Sequence, residues 1–162
     1  MTKAIEIIKD EHRSMAAVIK GLQAQVTAAQ LDSVQPDFAL FGAMLDYIEA
    51  LPDRVHHPKE DEYLFRFLRM RSEEAVAVLD ELESQHSRCA ELLSDMRKAL
   101  AEAREVGELS SFAAALDGYA SFLWAHMQTE EDVVMPMAEQ HLTDEDWNSI
   151  NIAFEANRSG QW

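Results

Sequence analysis

Two of the histidines in the sequence are followed, four residues later, by a glutamate within one uninterrupted stretch of helical periodicity. The pairs are His56 with Glu60 and His126 with Glu130. Residues four apart lie on one face of an α-helix, about a turn apart, so each pair would present an imidazole and a carboxylate together. A mixed nitrogen and oxygen donor set suits iron or zinc better than magnesium or calcium. Either pair alone is common on an exposed helix, so the prediction of a metal site needs a second observation.

The second observation is that four histidines fall at positions which an up-down helical bundle would bring to one level. Residues on adjacent helices share a height when they are equally far from the turn that connects those helices. Burying two glutamates at that level without a cation would cost several kcal/mol each. A metal ion between the helices is therefore the simplest explanation. Equal distance from the connecting break holds for each consecutive pair in the series His12, His56, His86 and His126.

The composition favours an all-α fold. The chain has 162 residues, enough for one domain with a substantial core, and contains only 5 glycines and 4 prolines. Residue types that favour helices are abundant, and apolar residues recur at helical spacing in four long stretches. We predict one domain over residues 1–162. It would consist of an up-down-up-down four-helix bundle at about residues 3–140 and a short C-terminal helix at about residues 143–158.

Breaks in the apolar pattern divide the bundle into four predicted helices, at about residues 3–30, 37–70, 72–104 and 109–140. Asp32, Ser33 and Pro36 supply the stop and start signals of the first break. Pro52 and Pro58 fall inside the second helix. We expect them to kink it, because proline lacks a backbone donor and clashes with the preceding turn.

The C-terminal helix is predicted from a capping pattern and an apolar face. Thr143 lies three residues before Asp146, a spacing that resembles a capping box. At helical spacing after this pair come large apolar side chains, which would dock the helix on the bundle. They are Trp147, Ile150 and Phe154.

Charge and cysteine content exclude several classes of function. With 30 acidic and 14 basic residues, the formal net charge is −16. Such a surface repels phosphate backbones and anionic lipid, so we expect no nucleic-acid and no membrane partner. The single cysteine, Cys89, has no partner for an internal disulfide or a Cys-x-x-Cys motif. Because there is neither a signal-peptide pattern nor an apolar run of ~20 residues, we expect a cytoplasmic location.

Two segments, HHPKEDEYLF (residues 56–65) and AHMQTEEDVVMPMAE (residues 125–139), resemble the His-x-x-x-Glu segments of the hemerythrin-like family, which carries the HHE cation-binding domain. The resemblance covers nearly the whole chain. It implies an up-down four-helix bundle around two non-haem iron ions, joined by an oxo or hydroxo bridge. It further implies that two glutamates bridge the irons and that histidines complete each one. The implied metal ligands are His12, His56, Glu60, His86, His126 and Glu130.

The sequence departs from the oxygen-carrying members at two positions. Where they have a second histidine on the third helix, four residues after His86, this chain has Ala90. Where they have an aspartate five residues after the last histidine, it has Glu131. We prefer Glu130 as the ligand, because four residues fit the helical period better than five. A missing ligand would leave one coordination position of one iron open, or occupied by water, Cys89 or a tyrosine. This argues against reversible oxygen carriage and favours redox, sensing or reductive chemistry.

One alternative pair is left open on the second helix. His57 and Asp61 repeat the four-residue spacing one step round the helix, so they could replace His56 and Glu60 as ligands. Glu60 shares its helix face with apolar residues that are expected to point inward, and fits that face better than Asp61 does. We therefore expect His57 either at the surface or behind the ligands.

Several other side chains are expected near the site. Tyr63 and Tyr119 lie seven residues from His56 and His126, respectively, and would point towards it. Both are expected to be core residues, as is Cys89. An apolar surround would suit a diatomic ligand. We expect it to come from Phe122, Val133 and Met137.

The leading functional prediction is a di-iron protein that binds, reduces or senses a small oxidant such as oxygen, nitric oxide or peroxide. The pattern allows a redox activity without defining an enzymatic reaction, and no docking motif identifies a redox partner. The alternatives are iron handling, such as the repair of damaged iron centres, and a structural module that holds zinc. A His-Glu-x-x-His zinc-protease motif is absent from the sequence.

Overall fold

Helices make up nearly all of residues 1–31 and 34–158, which are the residues described by this computed structural model. Helix α1 is Lys3–Leu31, α2 is residues 38–71, α3 is Val76–Val106, α4 is residues 110–141 and α5 is Asp144–Arg158. No strand occurs in these residues, which confirms the all-α prediction. Asp32 and Ser33, predicted as part of the first break, lie outside the described residues.

The helix ends follow from local side-chain chemistry. The Asp37 side chain accepts a hydrogen bond from the backbone N–H of Leu40, which caps the start of α2. Gly107 ends α3 with a left-handed backbone, φ 77°, which glycine adopts without strain. The predicted capping pair at α5 is present. The Asp146 N–H donates to Thr143 Oγ1 (3.2 Å), and the Thr143 N–H donates to Asp146 Oδ2 (3.0 Å).

Parts of α2 and α4 are π-helical, with wider turns than an α-helix. Proline lacks the N–H that an α-helix needs and crowds the preceding turn, and a wider turn relieves both problems. Pro52 lies inside the first π-helical segment, and Pro58 follows its end. The prolines expected to kink α2 thus coincide with a change of helical period. The π-helical segments are Glu49–His56 and Glu60–Phe65 in α2, and Glu130–Val134 in α4.

The core consists of two hydrophobic clusters separated by a layer of histidines. Along α1, for example, Ile8 belongs to one cluster, His12 follows, and Met15 belongs to the other. His56, His86 and His126 likewise lie between the two clusters on the other long helices, in the same order on α3 and in the reverse order on α2 and α4. Helix α5 packs on the cluster that contains Ile8, as predicted, with Trp147, Ile150 and Phe154 buried there. No described helix is long and apolar enough to cross a membrane.

Candidate metal centre

The six side chains predicted as metal ligands meet in the layer between the two hydrophobic clusters. Each long helix contributes one histidine, and α2 and α4 each add a glutamate. All six are buried, and the most exposed is His86 at 7%. The structure therefore brings together His12, His56, Glu60, His86, His126 and Glu130.

One group of ligand atoms forms around α3 and α4. The Nε2 atoms of His86 and His126 lie 3.0 Å apart. His86 Nε2 is 3.3 Å from Glu60 Oε2 and 3.6 Å from Glu130 Oε1. His126 Nε2 is 2.9 Å from Glu130 Oε1. Two imidazoles and one oxygen from each glutamate therefore face a common space.

A second group forms around α1 and α2. His56 Nε2 is 2.9 Å from Glu60 Oε1. His12 Nε2 is 3.1 Å from Glu130 Oε2 and 3.9 Å from Glu60 Oε1. The glutamate oxygens in this group are the ones that do not face His86 and His126. Each glutamate thus presents one oxygen to each pair of histidines.

The donor atoms at the centre lack ordinary partners. All four carboxylate oxygens of Glu60 and Glu130 are buried without a hydrogen-bond partner, and so are Nε2 of His12 and Nε2 of His56. Buried polar atoms are normally hydrogen-bonded, and the only charge partners of these carboxylates among the described residues are the neighbouring imidazoles. Metal ions between the two histidine pairs would satisfy these atoms with nitrogen and oxygen ligands that iron and zinc accept. The residues present therefore fit a metal centre.

The outer nitrogens of the four histidines are held by acceptors on neighbouring helices. An acceptor at Nδ1 fixes the tautomer and aims Nε2 inward, which is the usual arrangement behind metal-binding histidines. Glu131 and Asp61, the alternative carboxylates of the sequence analysis, are both acceptors of this kind. The Nδ1–acceptor distances are 2.8 Å for His12–Glu131, 2.5 Å for His56–Glu11, 2.8 Å for His86–Asp61 and 2.8 Å for His126–Gln85.

Sequence reasoning missed Glu11 and Gln85, although a local signal marks both. Each residue directly precedes an inward histidine, His12 or His86, and serves a histidine on a neighbouring helix. Glu11 also accepts a hydrogen bond (2.7 Å) from the side-chain amide of Asn157 in α5. The C-terminal helix is therefore connected to the layer of histidines through Glu11.

Electrostatics make this layer an ion-pair network. Burial opposes a charge on His56, but Glu60 and Glu11 outweigh it and raise the pKa of His56 to about 9. Burial likewise opposes a charge on His86, yet Asp61, Glu130 and Glu60 raise its pKa to about 11. Burial would raise the pKa of Glu60, but the surrounding histidines hold it well below its usual range. Metal binding must displace these imidazole protons, so it is coupled to proton release.

The sequence left two places open for His57, at the surface or behind the ligands, and the surface position is wrong. His57 is buried because the helical period changes around it. In an α-helix, neighbouring residues point about 100° apart. The π-helical turns on both sides of His57 alter that phase, and His56 and His57 are both buried, at 1% and 3% exposure. The ring of His57 stacks on that of His86, with centroids 4.1 Å apart. Burial and nearby imidazoles lower the pKa of His57.

The other side chains expected near the site are placed as follows. Tyr119 is fully buried and its hydroxyl has no hydrogen-bond partner, whereas Tyr63 packs on the edge of a hydrophobic cluster. Cys89 is a buried free thiol, and burial raises its pKa to about 12. Val133 is 41% exposed, so its predicted role as an apolar lining residue is wrong. The π-helical turn shifts the phase of α4 and buries Val134 instead.

Two cavities open beside the histidine layer. One, of about 260 Å³, is lined by His12 and Glu131 and by neighbouring residues of α1 and α4. The other, of about 170 Å³, is lined by Asp53, His57, His86 and Ala90, among others. Both are sized for small molecules rather than for large substrates, and they reach different histidines.

These features define a helical bundle with a buried histidine and glutamate site suited to metal ions. The chain matches the model of the hemerythrin HHE cation-binding domain over residues 3–138. It therefore belongs to the hemerythrin family, as the sequence resemblance predicted. No curated protein matches the sequence significantly. Helix α5, at Asp144–Arg158, lies beyond the matched residues.

Proposed function

We propose that this protein holds two non-haem iron ions in an up-down-up-down four-helix bundle and uses them to bind, reduce or sense a small oxidant. The observation that carries the proposal is the orientation of two buried carboxylates. Glu60 and Glu130 each direct one oxygen to the His12–His56 pair and the other oxygen towards His86 and His126.

The number of donor atoms favours two ions over one. Four imidazole nitrogens and four carboxylate oxygens exceed what a single compact ion with an open position needs. They suit two ions roughly 3.5–4 Å apart, with an oxo or hydroxo group as a further bridge. A single ion would leave part of this buried set without a partner. Histidine and carboxylate ligands are compatible with iron, and bound iron would supply the exchange of electrons with the oxidant.

The surroundings of the site favour a small ligand. The donor atoms are buried between two hydrophobic clusters, and the adjacent cavities measure about 260 and 170 Å³. Oxygen, nitric oxide and peroxide are small enough to enter such spaces. The acidic surface, with a net charge of −16, disfavours polyanionic partners and suits a cytoplasmic protein.

Metal analysis combined with visible spectroscopy tests the proposal. After anaerobic reconstitution with ferrous iron, we expect close to two irons per chain and an absorption band that changes on exposure to oxygen, nitric oxide or peroxide. A reproducible value near one iron per chain would contradict the dinuclear site. Two zinc ions in the protein as purified, which iron does not displace, would indicate a zinc module, and ready loss of iron to a chelator would indicate iron handling.

A further inference from the structure

We propose that His57 is a fifth histidine ligand, serving the ion on the His86–His126 side and compensating for the alanine at position 90. The inference rests on the proposed di-iron site and adds a residue to it. A ligand atom of His57 lies within 4.8 Å of ligand atoms of Glu60, His86 and His126, and all four residues are buried. His57 is therefore close enough to this group to share an ion with its other members.

The helix geometry explains how α2 offers two adjacent histidines. The π-helical segments Glu49–His56 and Glu60–Phe65 flank a short α-helical turn that contains His57. Because this change of period buries neighbouring residues together, His56 reaches one group of ligand atoms and His57 reaches the other. One stretch of helix thus contributes a histidine to each ion.

The space at Ala90 gives His57 room to turn. The His57 and His86 rings lie face to face, 11° from parallel. Two rings stacked in this way cannot both aim a nitrogen at one ion, so His57 must leave the stack when it binds. The cavity of about 170 Å³ that His57 shares with Ala90 and Asp53 accommodates that movement.

An acceptor also stands behind His57, as behind the other four histidines. Asp53 Oδ1 is 3.6 Å from His57 Nδ1, and both atoms are buried without a hydrogen-bond partner. The distance is beyond a hydrogen bond, and a small rotation of either side chain would close it. An Nδ1–H donated to Asp53 would leave Nε2 of His57 free to bind metal.

This ligand would change the expected chemistry of the site. With His57, one ion has three histidines and the other has His12 and His56, so the two ions are inequivalent. The position that the sequence leaves open at Ala90 is then closed by an imidazole from α2. Ala90 then gives no reason to exclude oxygen carriage.

Replacement of His57 by phenylalanine separates ligation from stacking. His57→Phe keeps a ring against His86 but removes the nitrogen, and His57→Ala removes both. Titration with Co²⁺, followed by its visible absorption, reports each binding step and the nitrogen ligation without reference to activity. We expect both variants to weaken the affinity of one of the two binding steps by about 10-fold to 100-fold. The other step should be unchanged in each, and His141→Ala serves as the matched histidine control.

A second variant tests whether loss of the His57 imidazole causes the weaker metal binding. Adding Ala90→His to His57→Phe places an imidazole on α3, beside the same cavity, and should restore the weakened step.

If wild type binds two ions and His57→Phe binds them equally well, the inference is wrong and the di-iron proposal stands. Loss in His57→Ala alone would likewise overturn it, because stacking would then explain the effect. If wild type itself binds fewer than two ions, the di-iron proposal fails. Circular dichroism of each metal-free variant establishes that it is folded.

Discussion

Buried carboxylates occur in two regions of the described part of this molecule, and their surroundings differ sharply. Asp146 at the start of α5 is 3% exposed and fully partnered. Arg71 donates to both of its oxygens (2.8 and 3.0 Å), and the Thr143 N–H donates to Oδ2 (3.0 Å). Glu60 and Glu130 are at least as buried, yet none of their four oxygens has a hydrogen-bond partner.

The contrast distinguishes a structural carboxylate from the two that we propose to bind metal. At Asp146 the chain supplies every partner, so the fold itself is stabilised. At Glu60 and Glu130 the chain supplies only imidazoles, which we propose as metal ligands themselves. A carboxylate layer of this kind lowers stability unless a cation binds, because desolvated charges are incompletely compensated. The metal-ligating region should therefore gain stability when metal is added, whereas the region around Asp146 should not respond.

The largest expected effect is the loss of metal on removal of a central carboxylate. Glu60→Ala and Glu130→Ala each delete an oxygen from both groups, so we expect iron content to fall from about two per chain to below one. The rise in melting temperature on metal addition should disappear as well, since that rise depends on binding to the folded state. Elemental analysis and thermal unfolding with and without iron measure both quantities.

Neighbouring glutamates provide the matched controls for this prediction. Glu62 is exposed and Glu131 only accepts a hydrogen bond from His12, so Glu62→Ala should be neutral and Glu131→Ala should weaken binding by about 10-fold. If Glu131→Ala strips the metal while Glu130→Ala retains it, the assignment of the carboxylate on α4 is wrong.

The next largest effect is that of removing metal from the wild-type protein. A ligand that binds only the folded state stabilises it by about 4 kcal/mol at 1,000 times its dissociation constant. We therefore expect chelation to lower the free energy of unfolding by a comparable amount, with a lower denaturant midpoint. Urea titrations of the metal-loaded and chelator-treated protein would measure this difference. Equal midpoints would mean that the carboxylate layer is stable without a cation.

The same comparison shows what could be predicted from the sequence. The helices, the capping pair at Thr143 and the meeting of four histidines follow from local patterns and from equal distances to the breaks. The roles of Glu131 and Asp61 as acceptors depend on which helix faces which, and local spacing does not contain that information. The burial of His57 and the exposure of Val133 depend on π-helical turns. These turns change the helical period from which the inward and outward faces were predicted.

A smaller effect is expected at Asp146, and it should not depend on metal. Asp146→Ala removes the acceptor of Arg71 and the cap of α5, at a cost of about 1–2 kcal/mol. Because Asp146 is not part of the metal centre, the cost should be equal in metal-loaded and metal-free protein. Asp144→Ala, an exposed acid in the same first turn, is the control and should cost less. A cost that doubles in the metal-loaded state would connect α5 to the metal centre energetically.

The smallest effect is the pH dependence of the Asp146 contribution. Hydrogen bonds from Arg71 and Thr143 outweigh burial and lower the pKa of Asp146 from 3.8 to about 2. A carboxyl group with a depressed pKa in the folded state stabilises the fold above its unfolded pKa, and this contribution is lost as the pH falls towards the folded pKa. The difference in unfolding free energy between wild type and Asp146→Asn should therefore be constant from pH 7 to about 5 and shrink between about pH 4 and 2.

The central histidines do not interfere in that pH range, because their shifts have the opposite sign. Raised pKa values, about 9 for His56 and about 11 for His86, give contributions that are complete below the unfolded value of 6.5 and lost as the pH rises. The pKa of Glu60 is also lowered, but Glu60 is present in both proteins and cancels in their difference. Urea titrations of the wild type and the Asp146→Asn variant between about pH 6 and 3 therefore isolate the carboxyl group of Asp146. A difference that stays constant down to about pH 3 would mean that the charge of Asp146 contributes nothing to the stability of α5, and that its neutral hydrogen bonds and packing account for the whole effect.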